Sequence, residues 1–414
     1  MDENKKVRVA ITQGDTNGIG YELIFKTFAD PEMLELCTPI VYGSPKLAAY
    51  HRKALDINAQ FSIIQDAAEA KPGRVNLLST FDEEVKVDLG QPTEESGMAA
   101  LMALDRAMSD YRNGLYDVLV TAPLDRGNIK PEGYPFPGHT RYIETCVGEG
   151  KKALPILLNE QVRLAFMTGD VALKHVAEAI TKEGIEKQCM LLRDTLVRDF
   201  RISNPRIAVL ALNPGTNEDN QLGAEEKEII VPAIDELVDK GVEAFGPYAA
   251  DDFFGLGYFT AFDAVLAMYH DQGMAPFKAL SSEPGVIYTA GLPLVRTASD
   301  QTPDYEHAGK NAADESAFRH AVYLAIDVFR HRQDFDEAAS DPLKKLYREK
   351  RDESDKVRFS VPKRHADVPF PKRRKVEAKD APKVDAQTAS ADMGKGKAPE
   401  GAETDKAKAD SVQN

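Results

Sequence analysis

The segment VRVAITQGDTNGIG, residues 7–20, joins a short run of apolar, β-branched residues to a turn rich in Gly, Asp and Asn. Similar apolar runs occur five more times along the chain. They are PIVYG (39–43), DVLVTA (117–122), RLAFMT (163–168), RIAVLAL (206–212) and DAVLAMY (263–269). Nearly continuous apolar character is typical of parallel strands that are covered on both faces. The six segments therefore predict a buried, largely parallel sheet.

Amphipathic segments of helical length separate these predicted strands. They show apolar residues at i, i+3 and i+4 over residues 93–112, 185–200, 223–241 and 314–332. Alternation of strands with crossover helices is the pattern of an α/β fold, since parallel strands need such a connection. We expect this α/β region to span residues 1–340.

The composition changes after about residue 340, where Lys, Asp, Glu, Ala and Pro replace the core-forming residues. Such a segment buries too little apolar area to offset its ordering entropy, so residues 341–414 are predicted to form a disordered tail. The tail contains Lys363-Arg364 and the basic run PKRRKV at 371–376, which resembles a nuclear localisation or nucleic-acid-binding patch. Within a mixed-charge tail we interpret this run as a solvated polyampholyte.

The net charge of −15 argues against nucleic acid or an anionic membrane as the main partner, although a local cationic cluster could still bind a small anion. Cys37, Cys146 and Cys189 are scattered singly, without the spacing of a zinc site or a disulfide framework. We find no apolar run of signal-peptide length and none near the roughly 20 residues of a membrane span. The expected location is the cytoplasm.

Small and polar residues follow five of the predicted strands, at 12–20, 121–126, 168–170, 213–219 and 269–273. In parallel sheets ligands bind beyond the carboxyl ends of the strands, so we expect one shared crevice. The alternative is that these residues are ordinary turn and capping residues. The segment GDTNGIG has neither the Lys-Ser/Thr of a P-loop nor the Rossmann spacing, and its glycines are as readily explained by a tight turn.

Two histidines, His139 and His270, lie in Gly-flanked, turn-like contexts. His270 with the neighbouring Asp271, together with Asp251, could provide imidazole and carboxylate ligands for a divalent cation.

Lys278 and Arg296 follow this region, Arg296 at the end of the apolar run LPLV. In a shared crevice they could hold a phosphate or a carboxylate, because Arg offers a bidentate fork and Lys a point charge. The alternative is a pair of surface cations in ordinary ion pairs.

The motifs GIG, TAP, FPGHT, TGDVALKH, LNP, GPYAAD, YHDQG and GLPLVRT follow one another between residue 7 and about residue 332. This series resembles the 4-hydroxythreonine-4-phosphate dehydrogenase family. The resemblance implies a two-lobed α/β fold like that of isopropylmalate and isocitrate dehydrogenases, and a homodimer with its active site near the subunit boundary. It also implies NAD or NADP as the cofactor, together with a divalent metal (Zn, Mg, Mn or Co).

The reaction implied is oxidation of the secondary alcohol of 4-phosphooxy-L-threonine. The resulting β-keto acid then loses carbon dioxide to give 3-amino-2-oxopropyl phosphate for pyridoxal 5′-phosphate biosynthesis. By the same resemblance, the substrate-binding residues are His139, Thr140, Lys278 and Arg296. His270 becomes a metal ligand, Asp251 lies beside the site, and Asp251 and Lys278 are the catalytic candidates. The resemblance identifies no residues for binding the dinucleotide.

The chain departs from the family pattern at two of three metal-binding histidine positions, which hold Asp170 and Gly215. Asp170 can still ligate a hard cation, whereas Gly215 has no side chain. The neighbouring Asn217, Glu218 or Asp219 could supply an oxygen ligand, which would favour Mg or Mn. Further departures are Arg126 for Lys, Ile287 for a substrate-binding Asn and Gln301 for His. They make two alternatives plausible, namely a dehydrogenase for another phosphorylated hydroxy acid and a catalytically silent homologue with a binding role.

Overall fold

Twelve strands form a single sheet in this computed structural model, which describes residues 6–81, 85–129, 136, 138–215, 222–281 and 283–341. The strands are β1 Val7–Thr12, β2 Cys37–Gly43, β3 Ser62–Ile64, β4 Asn76–Ser79, β5 Val118–Thr121, β6 Leu154–Leu158, β7 Arg163–Thr168, β8 Ile207–Leu210, β9 Ala244–Tyr248, β10 Ala264–Tyr269, β11 Val286–Ala290 and β12 Val295–Ser299. Across the sheet their order is β3-β4-β2-β1-β5-β12-β11-β6-β7-β10-β8-β9.

Eight of the eleven pairings between the described strands are parallel, which confirms the prediction of an α/β fold with a largely parallel sheet. All six predicted strands form, and RLAFMT coincides with β7. The pattern of apolar runs did not predict the other six strands. β6 and β9 contain prolines, and β11 and β12 mix apolar with hydroxyl-bearing residues, so neither pair reads as a continuous apolar run.

The strands do not all point the same way. β12 runs parallel to β5, and three antiparallel pairings then follow, between β12 and β11, β11 and β6, and β6 and β7. Three reversals leave β7, and with it β10, β8 and β9, antiparallel to β1 and β5. The five strands whose polar ends are predicted to share one crevice therefore do not all end at the same edge of the sheet. Apolar patterning identifies a strand but does not give its direction.

Helices connect the strands and cover both faces of the sheet. They are α1 Gly20–Thr27, α2 Pro31–Leu36, α3 Pro45–Ala54, α4 Glu94–Arg112, α5 His139–Val147, α6 Val176–Ala179, α7 Lys182–Arg198, α8 Val231–Asp239, α9 Ala250–Gly255, α10 His270–Leu280 and α11 Ser316–Ser340. Val9 and Ile11 of β1 pack in a core with α1 and α11, whereas Ala10 packs in a second core with α4. This alternation explains why the strands are apolar throughout.

Local sequence explains where two of the predicted helices begin. Thr93 accepts a hydrogen bond from the Ser96 amide (3.2 Å) and so caps α4, as expected for a helix predicted from residue 93. The segment predicted as one helix over 223–241 instead begins with a π-helical turn, Glu226–Ile230, before α8. Pro232 in the first turn of α8 cannot donate a backbone hydrogen bond, which accounts for the change in helix type at this point.

The described residues belong to one compact unit, residues 1–343. The division of this region into two lobes remains a prediction. The predicted tail and its basic run lie outside the described residues. Among the described helices, none combines the length and apolar character needed to cross a bilayer.

Candidate active site

Arg296 is a fully buried cation at the centre of the sheet. It is the second residue of β12, inside the strand rather than at its end, and only 1% of its surface is exposed. Its Nη2 donates to Thr121 Oγ1 (2.5 Å) and contacts His139 Nε2, while Nη1 donates to Thr289 Oγ1 (3.2 Å). Nε has no hydrogen-bond partner among the described residues. Burial, and then the charge of Arg126, lower the pKa of Arg296 to about 9.

His139 begins α5 and brings an imidazole to this guanidinium. Burial, followed by the charges of Arg296 and Arg126, holds the pKa of His139 well below its ordinary range, so the ring is neutral. Because Nε2 accepts from Arg296, the proton of the neutral ring is on Nδ1. Nδ1 is buried without a partner in the described structure. Arg296 and His139 thus present donors that an anionic group would satisfy.

A pocket of about 330 Å³ lies beside His139, whose neighbours Gly138 and Thr140 both line it. The loops that follow β5 and β7 meet here, because Arg126 Nη1 donates to Asp170 Oδ1 at 3.2 Å. Both side chains are more than half exposed. The pocket is therefore bordered by polar groups from two distant parts of the chain, although the carboxyl ends of β5 and β7 lie at opposite edges of the sheet.

The three positions that the resemblance implies for metal ligands follow three neighbouring strands at one edge of the sheet. Thr168 of β7 pairs with Tyr269 of β10, which places Asp170 and His270 just beyond neighbouring strand ends. Gly215 follows β8, the other neighbour of β10. His270 Nδ1 lies 2.7 Å from Asp271 Oδ1, and the ring stacks on Phe166 with 5.3 Å between centroids.

The side chains at this edge do not fit a metal centre. Gly215 contributes no donor, and the Asp170 carboxylate is engaged by Arg126. Across the described residues no group of three or more His, Cys, Asp or Glu side chains could hold a metal ion. Zinc sites in proteins generally use at least three protein ligands. The segment with Asn217, Glu218 and Asp219, which could supply further oxygen ligands, lies outside the described residues.

Lys278 borders a different cavity, of about 390 Å³, near the carboxyl end of β12. Its Nζ lies 2.6 Å from Asp300 Oδ2, and Gln301 lines the same cavity. Ile287 lies inside β11 and packs against the apolar core around Phe277. The structure therefore does not place Lys278 in the pocket that Thr140 lines.

Asp251 is exposed in the first turn of α9. It follows β9, which lies two strands from β10, so it shares the sheet edge of His270. It remains a predicted neighbour of the site.

The glycine-rich turn after β1 has a structural role. Gly14 has φ +73°, and a Cβ there would lie 2.3 Å from Pro123 O. Asp15 accepts hydrogen bonds from Ser96 Oγ (3.1 Å), Asn128 Nδ2 (3.0 Å) and Tyr305 OH (2.8 Å), and so ties the turn to three other segments. These contacts explain Gly14 and Asp15 in this turn without a ligand.

Comparison with known proteins identifies the family. The sequence profile described as pyridoxal phosphate biosynthetic protein PdxA matches residues 35–325. The chain belongs to the PdxA family. It is 54% identical over 361 residues to a 4-hydroxythreonine-4-phosphate dehydrogenase from Bacteroides thetaiotaomicron, covering 87% of this chain and 99% of that protein. A relative of the same name from Prosthecochloris aestuarii is 36% identical, covering 78% of this chain and 97% of that protein.

The fold agrees with this membership. A crystal structure of 4-hydroxythreonine-4-phosphate dehydrogenase from Klebsiella pneumoniae is 28% identical with a TM-score of 0.66, covering 79% of this chain and 98% of that chain. The PdxA motifs pointed to His139, Thr140 and Arg296, but the sequence reading missed the hydroxyls of Thr121 and Thr289 that bind Arg296. Thr121 stands in the motif TAP, whereas Thr289 lies in a strand that the apolar pattern did not reveal.

Proposed function

We propose that this chain is an NAD(P)-dependent dehydrogenase that converts 4-phosphooxy-L-threonine to 3-amino-2-oxopropyl phosphate in pyridoxal 5′-phosphate biosynthesis. The observation that carries the proposal is the match of 54% identity over 99% of a relative with that dehydrogenase name. The three cysteines carry free thiols, in keeping with a cytoplasmic location.

The reaction has two steps. The carbon bearing the secondary alcohol gives a hydride to NAD+ or NADP+, and the hydroxyl loses its proton. The bond to the carboxylate then breaks to release carbon dioxide, and the resulting enolate takes up a proton at carbon. We assign recognition of an anionic substrate group to Arg296 and His139, since their buried donors lack an anionic partner. Thr140 contributes from the pocket wall.

Lys278 is our candidate for the proton transfers on the basis of the family resemblance alone, since in this chain it borders a separate cavity and pairs with Asp300. Asp251 remains the second catalytic candidate, on the basis of the family resemblance. Since the described donors do not complete a metal centre, we assign no step to a divalent metal. The residues that bind the dinucleotide are not assigned.

A homodimer is part of the proposal, and exposed apolar side chains on two loops support it. Val171 and Leu173, on the loop that follows β7, are 40% and 73% exposed, and Leu222, on the segment that follows β8, is 61% exposed. Apolar groups on two loops at one sheet edge are typical of a surface that a second subunit covers. Light scattering of wild type and Leu173→Glu would test this, with dissociation expected only for the variant.

The alternative is a catalytically silent homologue that binds a ligand or a partner. The observation that favours it is the engagement of proposed site residues in ion pairs, Arg126 with Asp170 and Lys278 with Asp300. Gly215 has no side-chain donor for a metal, which also favours the silent homologue. A dehydrogenase for another phosphorylated hydroxy acid is also compatible with Ile287 in place of the family's Asn.

The experiment is to follow NADH or NADPH absorbance with purified full-length protein, 4-phosphooxy-L-threonine and each dinucleotide. Phosphorylated sugar acids serve as the alternative substrates. We expect turnover that Lys278→Ala reduces by about 100-fold or more, as is common for loss of an acid–base group. Lys187→Ala, at an exposed position on α7, is the matched control. No turnover with any of these substrates, from folded protein, would contradict the dehydrogenase and favour the silent homologue.

A further inference from the structure

The strand order brings the three positions of the family's metal ligands to one edge of the sheet. The side chains at these positions, however, do not form a metal site. The register of β7 with β10, and of β10 with β8, brings positions 170, 270 and 215 to one edge of the sheet. The strand order is therefore not the reason that these positions lack a set of metal donors. The reason is chemical, because one position has no side chain and another is a carboxylate bound to a cation.

His270 by itself is arranged as a metal ligand could be. The contact between Nδ1 and Asp271 fixes the ring and leaves Nε2 as its second nitrogen. A single imidazole gives weak zinc binding, however, because catalytic zinc sites usually use three protein ligands. By strand register, the Asp170 carboxylate lies on the neighbouring strand end and is a possible second donor.

Arg126 changes the electrostatics of this edge. Its guanidinium is bound to Asp170 and offsets the negative charge that would attract a cation. Its charge also reaches the buried groups, where it acts after burial to lower the pKa of Arg296 and after burial and Arg296 to lower that of His139. A dication at Asp170 would have to approach the Arg126 guanidinium and compete with it for the carboxylate.

We infer that this chain binds no divalent metal at positions 170, 215 and 270, and that Arg126 supplies the positive charge at this edge of the pocket. The guanidinium is a permanent cation with a planar fork of donors, and it can bind a phosphate or carboxylate directly. Only the identity of that anion rests on the proposed function. The chemistry that the resemblance assigns to a metal would fall to fixed cationic side chains.

The test is the metal content of the full-length chain after exposure to Zn²⁺, Mn²⁺ or Mg²⁺ and desalting, with calorimetric titration of Zn²⁺. We expect no stoichiometric metal in the wild type. The double variant Asp170→His/Gly215→His should gain stoichiometric zinc and lose it again when His270→Ala is added. None of the described residues comes within 4 Å of a Cβ at Gly215, although its φ of +71° makes any side chain somewhat strained. Circular dichroism therefore checks that each variant is folded.

Leu173→His is the matched control, because it adds an imidazole to the loop that carries Asp170 at a side chain that is 73% exposed. It should gain no stoichiometric zinc. Stoichiometric metal in the wild type that His270→Ala removes would overturn the inference. Loss of that metal in Glu218→Gln/Asp219→Asn would overturn it too, and would identify the source of the missing donors. If the folded Asp170→His/Gly215→His variant binds no zinc, the side chains at positions 170 and 215 are not the reason that the metal site is missing.

Turnover is measured separately from metal content. Wild-type protein without metal that still oxidises substrate supports both the inference and the proposed function. Wild-type protein without metal that fails to turn over leaves the metal inference standing and contradicts the dehydrogenase.

Discussion

At the scale of single residues, Arg296 combines burial with an incomplete set of partners. Its bonds to Thr121, Thr289 and His139 are made to uncharged groups. Burying an ion without a counterion opposes folding, so a residue placed in this way stabilises the protein little and serves a ligand instead.

We expect Arg296→Met to leave the free energy of unfolding within about 1 kcal/mol of the wild type, because the variant removes an unpaired buried charge while it loses only bonds to neutral groups. Binding of a phosphorylated substrate should weaken by about 10-fold or more, the value of a charge-assisted hydrogen bond. Urea denaturation and calorimetric titration measure the two effects. A loss of several kcal/mol in stability with unchanged binding would show that Arg296 has a structural role.

His51 predicts how stability depends on pH. It is buried at 1% exposure, Nε2 bonds to Thr16 O (2.7 Å), and burial lowers the pKa of His51 to about 4. The folded state therefore binds fewer protons than the unfolded state below pH 6.5. Stability from this residue is complete above pH 6.5, falls as the pH decreases toward 4 and levels off below it. The difference between the pKa of 6.5 in the unfolded state and about 4 in the folded state corresponds to about 3 kcal/mol of unfolding free energy.

Unfolding free energies of His51→Gln between pH 8 and pH 4 should accordingly fall less steeply than those of the wild type. The pKa of His139 is lowered too, so His139 also makes the unfolding free energy fall at acid pH. We therefore expect His51→Gln to reduce this dependence on pH and not to abolish it. His320→Gln changes an exposed histidine on α11 and is the matched control. Equal slopes for His51→Gln and the wild type would contradict the assignment.

At the scale of elements, a buried ion pair fastens the long helix α11 to the rest of the core. Arg332 Nε donates to Asp199 Oδ1 (2.8 Å) just after α7, and Tyr288 OH of β11 donates to Asp199 Oδ2 (2.5 Å). Arg332 also donates to the carbonyls of Leu292 (3.0 Å) and Pro293 (2.8 Å). One guanidinium thus connects three elements that are distant in sequence.

Removing one partner of this pair should be costly. We expect Asp199→Asn or Arg332→Met to lower the free energy of unfolding by about 3–5 kcal/mol each, because each leaves a buried charge uncompensated. The double variant should lose clearly less than the sum. Asp336→Asn, which breaks the exposed pair with Arg198, should cost less than about 1 kcal/mol. Strict additivity in the double-mutant cycle would contradict the coupling.

At the scale of the whole molecule, the compact unit of residues 1–343 contains every described strand and helix. The charged composition of residues 341–414 predicts that they add little to the core. A chain truncated after Leu343 should therefore show the same thermal midpoint and unfolding cooperativity as the full chain, as measured by circular dichroism. A midpoint lower by several degrees would contradict this and assign the segment a stabilising role.

The amino-acid sequence by itself determined the α/β class, six of the strands and membership of a family with named motifs. These features are local, because an apolar run or a motif such as YHDQG is contained within a few neighbouring residues. The sequence reading also identified His139 and Arg296, but as separate candidates.

Only the tertiary structure decided which way the strands run and which side chains meet. The reversals through β11 and β6 make β5 and β7 run in opposite directions, and the sequence pattern gave no sign of these reversals. Arg296 meets Thr121 across 175 positions of sequence, and Arg126 meets Asp170 across 44. Such contacts depend on strand pairing between distant segments, and no local pattern of residues encodes them. The same pairing brings Lys278 to Asp300 and away from Thr140, which shows why shared motifs did not reveal the arrangement of the site.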